Sequence, residues 1–333
     1  MDPKPVYAAI TSPRNIEYLP HPFPSEIPAG HVLVCTIHTL VSPGTELSLY
    51  QGTHPGLPVP GNTWAKYPFK PGYAAVGEVL QSRDATGDFK PGDRVFYWGH
   101  HASWQLVNSA EEVLVPIPAG LDLKHAVFAR FAQISATAVV RLPVNPASVL
   151  VIGGGIIGLM AAMLFRAKGA DVVVQDINPH RLTIAEACGL RTHLAGDNSE
   201  AVRAKFGDND PECVIEATGV RGMVRDALRA VAWRGCVVLL GSPGGLQEMD
   251  LYGEIFVKGA LLLGAHEGTI PCVAPEGTIS RRSLAIDALA AISNGTMNVA
   301  PLITGEFLAA ELNEAYAALS ADKDHNLGTL ISW

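Results

Sequence analysis

One ten-residue stretch limits what this chain can fold into: Val149-Leu150-Val151-Ile152-Gly153-Gly154-Gly155-Ile156-Ile157-Gly158. Four apolar, mostly β-branched residues predict a buried strand. Three glycines then predict a turn, and the apolar run from Ile156 through Leu159, Met163 and Leu164 a helix. Gly153, Gly155 and Gly158 fit G-x-G-x-x-G between a strand and a helix, the setting in which that spacing has physical meaning. Gly153 permits the tight turn, Gly155 lets the backbone approach a pyrophosphate, and Gly158 lets the helix pack close on the strand. The first helical N–H groups, at Ile156 and Ile157, together with the helix dipole favour an anion.

A second strand, Asp171-Val172-Val173-Val174-Gln175-Asp176, follows a helix closed by Lys168-Gly169. Asp176 lies about 20 residues past the glycines, where a carboxylate accepts hydrogen bonds from the adenosine ribose hydroxyls. Such a carboxylate repels a 2′-phosphate, so the cofactor expected is NAD, with NADP disfavoured. Arg181, slightly further on, is a candidate phosphate contact and leaves that choice open. The plainer alternative is a glycine-rich turn followed by a solvated Asp.

At 333 residues the chain has room for two domains with real cores. A net charge of −8 argues against nucleic acid or an anionic membrane as the main partner. Cys35, Cys188, Cys213, Cys236 and Cys272 are scattered without paired spacing, which predicts neither a disulfide framework nor a cysteine-rich zinc site and fits a reducing cytoplasm. The N-terminus carries Asp2 and Lys4 among Pro3, Pro5 and Pro13, so no signal peptide is expected. Residues 142–165 carry no charge, but Pro143, Pro146 and the three glycines favour strand, turn and helix over a membrane span.

The first third predicts short strands at 31–41, 73–80, 93–98, 104–107 and 113–117, separated by turns such as Pro28-Ala29-Gly30 and Lys90-Pro91-Gly92. That pattern suggests a small barrel or sandwich. An Ala-rich helix is expected at 123–141. Strands alternating with helices follow: the fingerprint strand, 172–176, a weak 192–194, 213–217, 236–240 and 260–263. Together they predict a doubly wound parallel sheet of about six strands. After Gly264 come a loop, helices near 283–292 and 308–319, and a closing strand at 328–331 that is expected to rejoin the first domain.

This order, with Pro68-Phe69-Lys70-Pro71-Gly72-Tyr73-Ala74-Ala75-Val76-Gly77-Glu78-Val79, Lys90-Pro91-Gly92-Asp93-Arg94-Val95, the glycine stretch and Pro301-Leu302-Ile303-Thr304, resembles the medium-chain dehydrogenase/reductase superfamily over nearly the whole chain. The resemblance implies an α/β protein with two domains. One is a GroES-like β-rich catalytic domain, 1–129 and 266–333; the other is an inserted Rossmann domain, 130–265, with a six-stranded sheet, and substrate lies between the two. Departures from the family carry equal weight. Where zinc-dependent members place their Cys, His and third ligand, this chain has Pro43, Tyr73 and a position near Ala129, none of which supplies a thiolate or imidazole. No Cys lies between Cys35 and Cys188, so the four-cysteine lobe for a structural zinc is absent too. The expectation is a member without zinc, and the phrase Ser42-Pro43-Gly44-Thr45-Glu46-Leu47 resembles the subgroup that contains bacteriochlorophyllide dehydrogenases.

Alcohol oxidation without a metal needs a side chain to take or give the hydroxyl proton. The candidates are Tyr73, in the zinc-ligand position; Thr45, where relatives keep a relay hydroxyl; Glu46, as base or backbone anchor; His101, beside His100; and His266, after the last Rossmann strand. Each has a structural alternative: a core aromatic, a capping threonine, a backbone acceptor, a packing histidine, a solvated loop. Arg130 and Gln133 fall near the cofactor by the family's pattern, and Arg130 suits an anionic or polar substrate group. Thr218, Gly219, Gly241, Ser242 and Ala265 follow parallel strands, where the ligand crevice of such sheets lies. The reading is a cytoplasmic NAD-dependent oxidoreductase acting on a secondary alcohol or ketone. An enoyl or quinone reductase and a dinucleotide-binding sensor without turnover stay open as alternatives. The apolar 260–263 strand, placed at a sheet edge, would pair two copies into a homodimer.

Overall fold

A computed structural model describes residues 5–196 and 199–333; Asp2, Pro3 and Lys4, read above as a polar start, lie outside them. Two compact units emerge. One takes the chain through Arg130 together with Cys272–Ser293 and Leu302–Trp333, the other Phe131–Pro271 and Asn294–Pro301.

The first unit opens with a hairpin of β1 (Val6–Ser12) and β2 (Asn15–Pro20). There follow β3 (His31–Leu40), α1 (Thr45–Gln51), β4 (Ala75–Ser82), β5 (Arg94–Tyr97), β6 (Trp104–Asn108), β7 (Leu114–Pro116) and α2 (Leu123–Ala126). The chain passes to the second unit within α3 (Ala129–Arg141). There it forms β8 (Ser148–Ile152), α4 (Ile156–Ala167), β9 (Asp171–Asp176), α5 (Pro179–Ala187), β10 (Arg191–Leu194), α6 (Ser199–Ala204), β11 (Cys213–Glu216), α7 (Met223–Ala230), β12 (Cys236–Leu239) and β13 (Leu261–Gly264). It returns to the first unit for α8 (Arg281–Ser293), β14 (Ile303–Leu308), α9 (Leu312–Ala321) and β15 (Gly328–Ser332).

The second unit is a parallel sheet in the order β10-β9-β8-β11-β12-β13. β8, at its centre, has Val149, Leu150 and Val151 buried on both faces, as parallel strands covered by helices require. The order reverses between β8 and β11, and a crevice opens outside the carboxyl ends of strands at such a switch point. β13 is the sheet edge, with Leu261 exposed. In the first unit the sheet runs β14-β15-β3-β4-β5-β7, with β6 also on β3. Val32, Val34, Val79, Val95, Tyr97, Val107 and Leu114 form its core. A second core joins the hairpin to α1 and α9 through Ile10, Leu47, Leu49, Leu312, Tyr316 and Ile331.

Three features depart from the sequence expectation. The helix expected at 123–141 is two helices, because Phe128 N–H bonds the His125 carbonyl in a tighter turn that buries Val127 and Phe128 completely. The helix expected from 308 begins at Leu312, since β14 pairs in parallel with β15 as far as Leu308. The β1–β2 hairpin and α1 stand where no element was expected. The five cysteines are free, and among the described residues no helix is long and apolar enough to cross a membrane.

Candidate active site

In the second unit the glycine turn is a close-packed device. A Cβ on Gly158 would lie 2.0 Å from the Gly153 carbonyl oxygen, so only glycine lets α4 sit this close to the end of β8. Gly153 itself holds φ at +110°. Gly155 caps α4 without any side-chain hydrogen bond, and a Cβ there would meet nothing within 4 Å. The N–H groups of Ile156 and Ile157 therefore open onto space without a side-chain cap, the arrangement that receives an anion. The Ile157 carbonyl accepts from Ser135 Oγ at 2.8 Å, tying α4 to α3.

Asp176 is buried at the end of β9. Its Oδ2 accepts from Gly154 N–H at 2.6 Å and its Oδ1 from Asn178 N–H at 2.8 Å, so the carboxylate braces the turn. Arg181 does not reach out for a phosphate alone: its Nη1 stands 3.8 Å from Asp176 Oδ2. The switch-point loops are braced by a residue the sequence did not single out. Glu216, fully buried at the end of β11, accepts from Thr218 N–H at 2.7 Å, from the Thr218 hydroxyl, and from Gly219 N–H at 3.1 Å. The Gly241 N–H bonds the Glu216 carbonyl at 2.7 Å, and a Cβ on Gly219 would strike the Ser242 carbonyl at 2.5 Å.

Three expected cofactor contacts have other work. The Thr218 hydroxyl serves Glu216 and accepts from Val220 N–H. Gln133, buried on α3, donates to Glu267 Oε2 at 3.3 Å. Ala265 donates its N–H to Leu239 and accepts from Thr137 Oγ1 at 2.7 Å, so it fixes the chain rather than offering a hydrogen bond. His266, expected as a proton relay, uses its Nδ1 to accept from Gly268 N–H at 3.0 Å and caps a one-turn helix in an exposed loop.

In the first unit, the segments Pro71-Gly72-Tyr73 and Gly99-His100-His101 run backbone against backbone. Gly72, at φ +96°, leaves no room for a side chain, because a Cβ would lie 2.5 Å from His101 N. His101 N–H bonds the Pro71 carbonyl at 2.9 Å, and His100 Nδ1 lies 2.9 Å from the Gly72 carbonyl. Burial pushes the His100 imidazole below its ordinary range. This contact sets the direction of Tyr73, whose hydroxyl donates to Ser42 Oγ at 2.6 Å. The Arg130 guanidinium lies 4.8 Å from the centre of the Tyr73 ring and 4.1 Å from that of Trp98.

Glu46 and His101, expected as acid/base candidates, are held away from solvent at 1% and 0% exposure. No substrate arriving from water reaches them; they form a buried network. Glu46 Oε2 accepts from the Tyr316 hydroxyl and stands 3.1 Å from His101 Nε2. His101 Nδ1 lies 2.7 Å from Thr39 Oγ1, which accepts from Trp333 Nε1 at 2.9 Å. Every proton has a place if Thr39 donates to Nδ1 and Nε2–H donates to Glu46. Thr45, the remaining candidate, is not a cap: the N-cap of α1 is Gly44, and the Thr45 carbonyl accepts from Ser48 Oγ at 2.7 Å.

Tyr316 and Tyr97 are fully buried phenols. Burial, reinforced by the Glu46 charge and hydrogen bond, holds Tyr316 well above 10.0, and burial raises Tyr97 likewise. A folded-state value above the unfolded one means stability is complete below pH 10.0 and drains away above it, as only the unfolded chain sheds the proton. In an alkaline absorbance titration these two of the eight tyrosines stay silent until the protein unfolds, and Tyr316→Phe shallows the alkaline loss of stability.

Residues 28–144 match the alcohol dehydrogenase GroES-like domain family, and residues 157–279 the zinc-binding dehydrogenase family. The chain belongs to the medium-chain dehydrogenase/reductase superfamily. It is 29% identical over 321 residues to 2-desacetyl-2-hydroxyethyl bacteriochlorophyllide A dehydrogenase of Cereibacter sphaeroides, with 91% of each chain covered. It is 28% identical over 278 residues to L-galactonate-5-dehydrogenase of Escherichia coli, covering 73% of this chain and 78% of that one. The fold matches that of 2R,3R-butanediol dehydrogenase from Bacillus subtilis with a TM-score of 0.82 at 18% identity, over 99% and 100% of the two chains.

The residues present do not fit the metal that the second family's name implies. Among the described residues no three His, Cys, Asp or Glu side chains come together to hold an ion. The Tyr73 hydroxyl is bonded to Ser42, and the Arg130 cation over its ring opposes a second cation.

Proposed function

We propose that this chain is an NAD(H)-dependent oxidoreductase that interconverts a secondary alcohol and its ketone with side chains, not zinc, handling the proton. The bracing of the glycine turn by Asp176 carries the cofactor reading: a buried carboxylate bonded to Gly154 N–H puts negative charge where a 2′-phosphate would lie. The uncapped start of α4 suits a pyrophosphate, and the loops after β11 and β12 line the switch point. When bound, the nicotinamide supplies hydride chemistry. The relatives' names, dehydrogenases of a hydroxyethyl chlorophyllide and of a sugar acid, support alcohol chemistry over enone reduction. Tyr73, hydrogen-bonded to Ser42 and topped by Arg130, is the proposed proton donor and acceptor. The protein acts on small molecules, works in the cytoplasm without nucleic acid or membrane partners, and pairs into a homodimer along β13.

Initial rates with NAD⁺ and a panel of secondary alcohols, set against NADPH with enones and quinones, test the reading on protein dialysed against EDTA. NAD⁺-linked oxidation that survives dialysis is expected. In Asp176→Ala the preference for NAD over NADP narrows by roughly 10- to 100-fold, as expected for losing hydrogen bonds to a charged group. A clear NADPH preference in the parent, or activity lost with EDTA, refutes it. Tight NADH binding with no turnover on any substrate favours a sensor.

A further inference from the structure

Trp98, Arg130 and Arg281 make a cluster in which only Arg130 touches the proton chemistry. The two guanidinium carbons lie 4.1 and 4.9 Å from the centre of the Trp98 ring, so two cations share one indole. Five other arginines face carboxylates: Arg94 meets Glu78, Arg191 meets Asp171, Arg203 meets Asp210, and Arg225 and Arg229 share Glu254. Arg281 makes no ion pair among the described residues, and its buried Nε has no acceptor. The Trp98 indole Nε1–H beside it is buried and lacks an acceptor as well.

Two adjacent buried donors without an acceptor are costly in a folded protein. Arg281 also opens α8, where the helix dipole disfavours a cation. Its neighbour Arg282 has a structural task, donating to the Ser109 and Glu112 carbonyls; Arg281 has none. What Arg281 and the Trp98 indole lack is an acceptor, and one with negative charge next to a flat apolar surface would suit both.

We propose that Trp98, Arg130 and Arg281 recognise an anionic group, a carboxylate above all, carried by the alcohol substrate. Trp98 offers the substrate body a stacking face, Arg281 supplies the main charge-assisted hydrogen bonds, and Arg130 lies over both Trp98 and Tyr73, linking recognition to the reacting end. This inference rests on the alcohol dehydrogenase reading, since Tyr73 is taken as the reacting end.

The test uses the full chain and a matched pair of secondary alcohols, 4-(1-hydroxyethyl)benzoate and 4-(1-hydroxyethyl)benzamide, equal in shape and differing in charge. Calorimetric titration gives both affinities without turnover. The parent protein is expected to favour the benzoate. In Arg281→Ala the benzoate-to-benzamide affinity ratio falls by about 10- to 100-fold, and Arg281→Lys, which keeps the charge, recovers part of it. A second pair, 3-hydroxybutyrate and 3-hydroxybutyramide, shows the same fall. The proposal is overturned if the parent does not discriminate, if neither partner binds, or if Arg281→Ala leaves the ratio unchanged. Binding that tracks charge without NAD⁺-linked oxidation refutes the dehydrogenase reading alone.

Discussion

Glu46→Ala is expected to destabilise the chain by about 3–5 kcal/mol, the cost of orphaning two buried donors and opening a void. The loss has identifiable parts. His101 and Tyr316 are both completely buried, and without the carboxylate the hydroxyl and the imidazole N–H that face it have no acceptor. Each such orphan costs about 1–3 kcal/mol, and the shortened side chain leaves a void between α1 and α9. One term acts the other way: Glu46 Oε1 is buried without a partner, so its removal recovers some desolvation. That relief is smaller than two orphaned donors. Tyr316→Phe removes a single donor and is expected to cost about 1 kcal/mol. Urea denaturation of the full chain measures both, and a Glu46→Ala loss below about 1 kcal/mol would contradict the network.

How much of this could be read from the chain depends on sequence distance. The β8–α4–β9 segment announces itself because all its determinants are local: a β-branched run, glycines at fixed spacing, and an acid at the end of the next strand. The brace between Asp176 and Gly154 spans only 22 positions. Glu216 was missed because one Glu after Val-Ile has no local signature; it acquires a role only when β11 meets β8 and β12 in register. Tyr316 is 270 positions from Glu46, and no periodicity in either segment points to the other. The same holds for Arg281 and Trp98, which the start of α8 and the segment after β5 bring together within the first unit. The β1–β2 hairpin was hidden by a different effect: Pro13-Arg14 reads as a break, yet Arg14 at φ 61° closes a tight turn there. Family resemblance drew attention to Tyr73 but, since it rested on residues that ligate metal elsewhere, gave no role to Ser42 or Trp98.

Tyr73→Phe is expected to lower kcat by about 10²–10⁴-fold, the usual worth of a positioned acid/base group. The substitution is narrow. Phe keeps the ring under Arg130 and the Gly72 contact that aims it, and deletes only the hydroxyl that donates to Ser42. In the proposed mechanism, the phenol gives its proton to the carbonyl oxygen in the reductive direction, and Ser42, 2.6 Å away, is placed to return one; alcohol oxidation runs the relay backwards. The Arg130 charge over the ring offsets the negative charge that builds on the phenol oxygen during transfer. A donor to the reacting oxygen acts mainly in the transition state, so kcat and kcat/KM fall together while KM moves little. Ser42→Ala, which leaves the phenol in place but removes its partner, is expected to lose about tenfold and to change the solvent isotope effect. If Tyr73→Phe instead raises KM and spares kcat, the hydroxyl only binds substrate, and the proton has another owner.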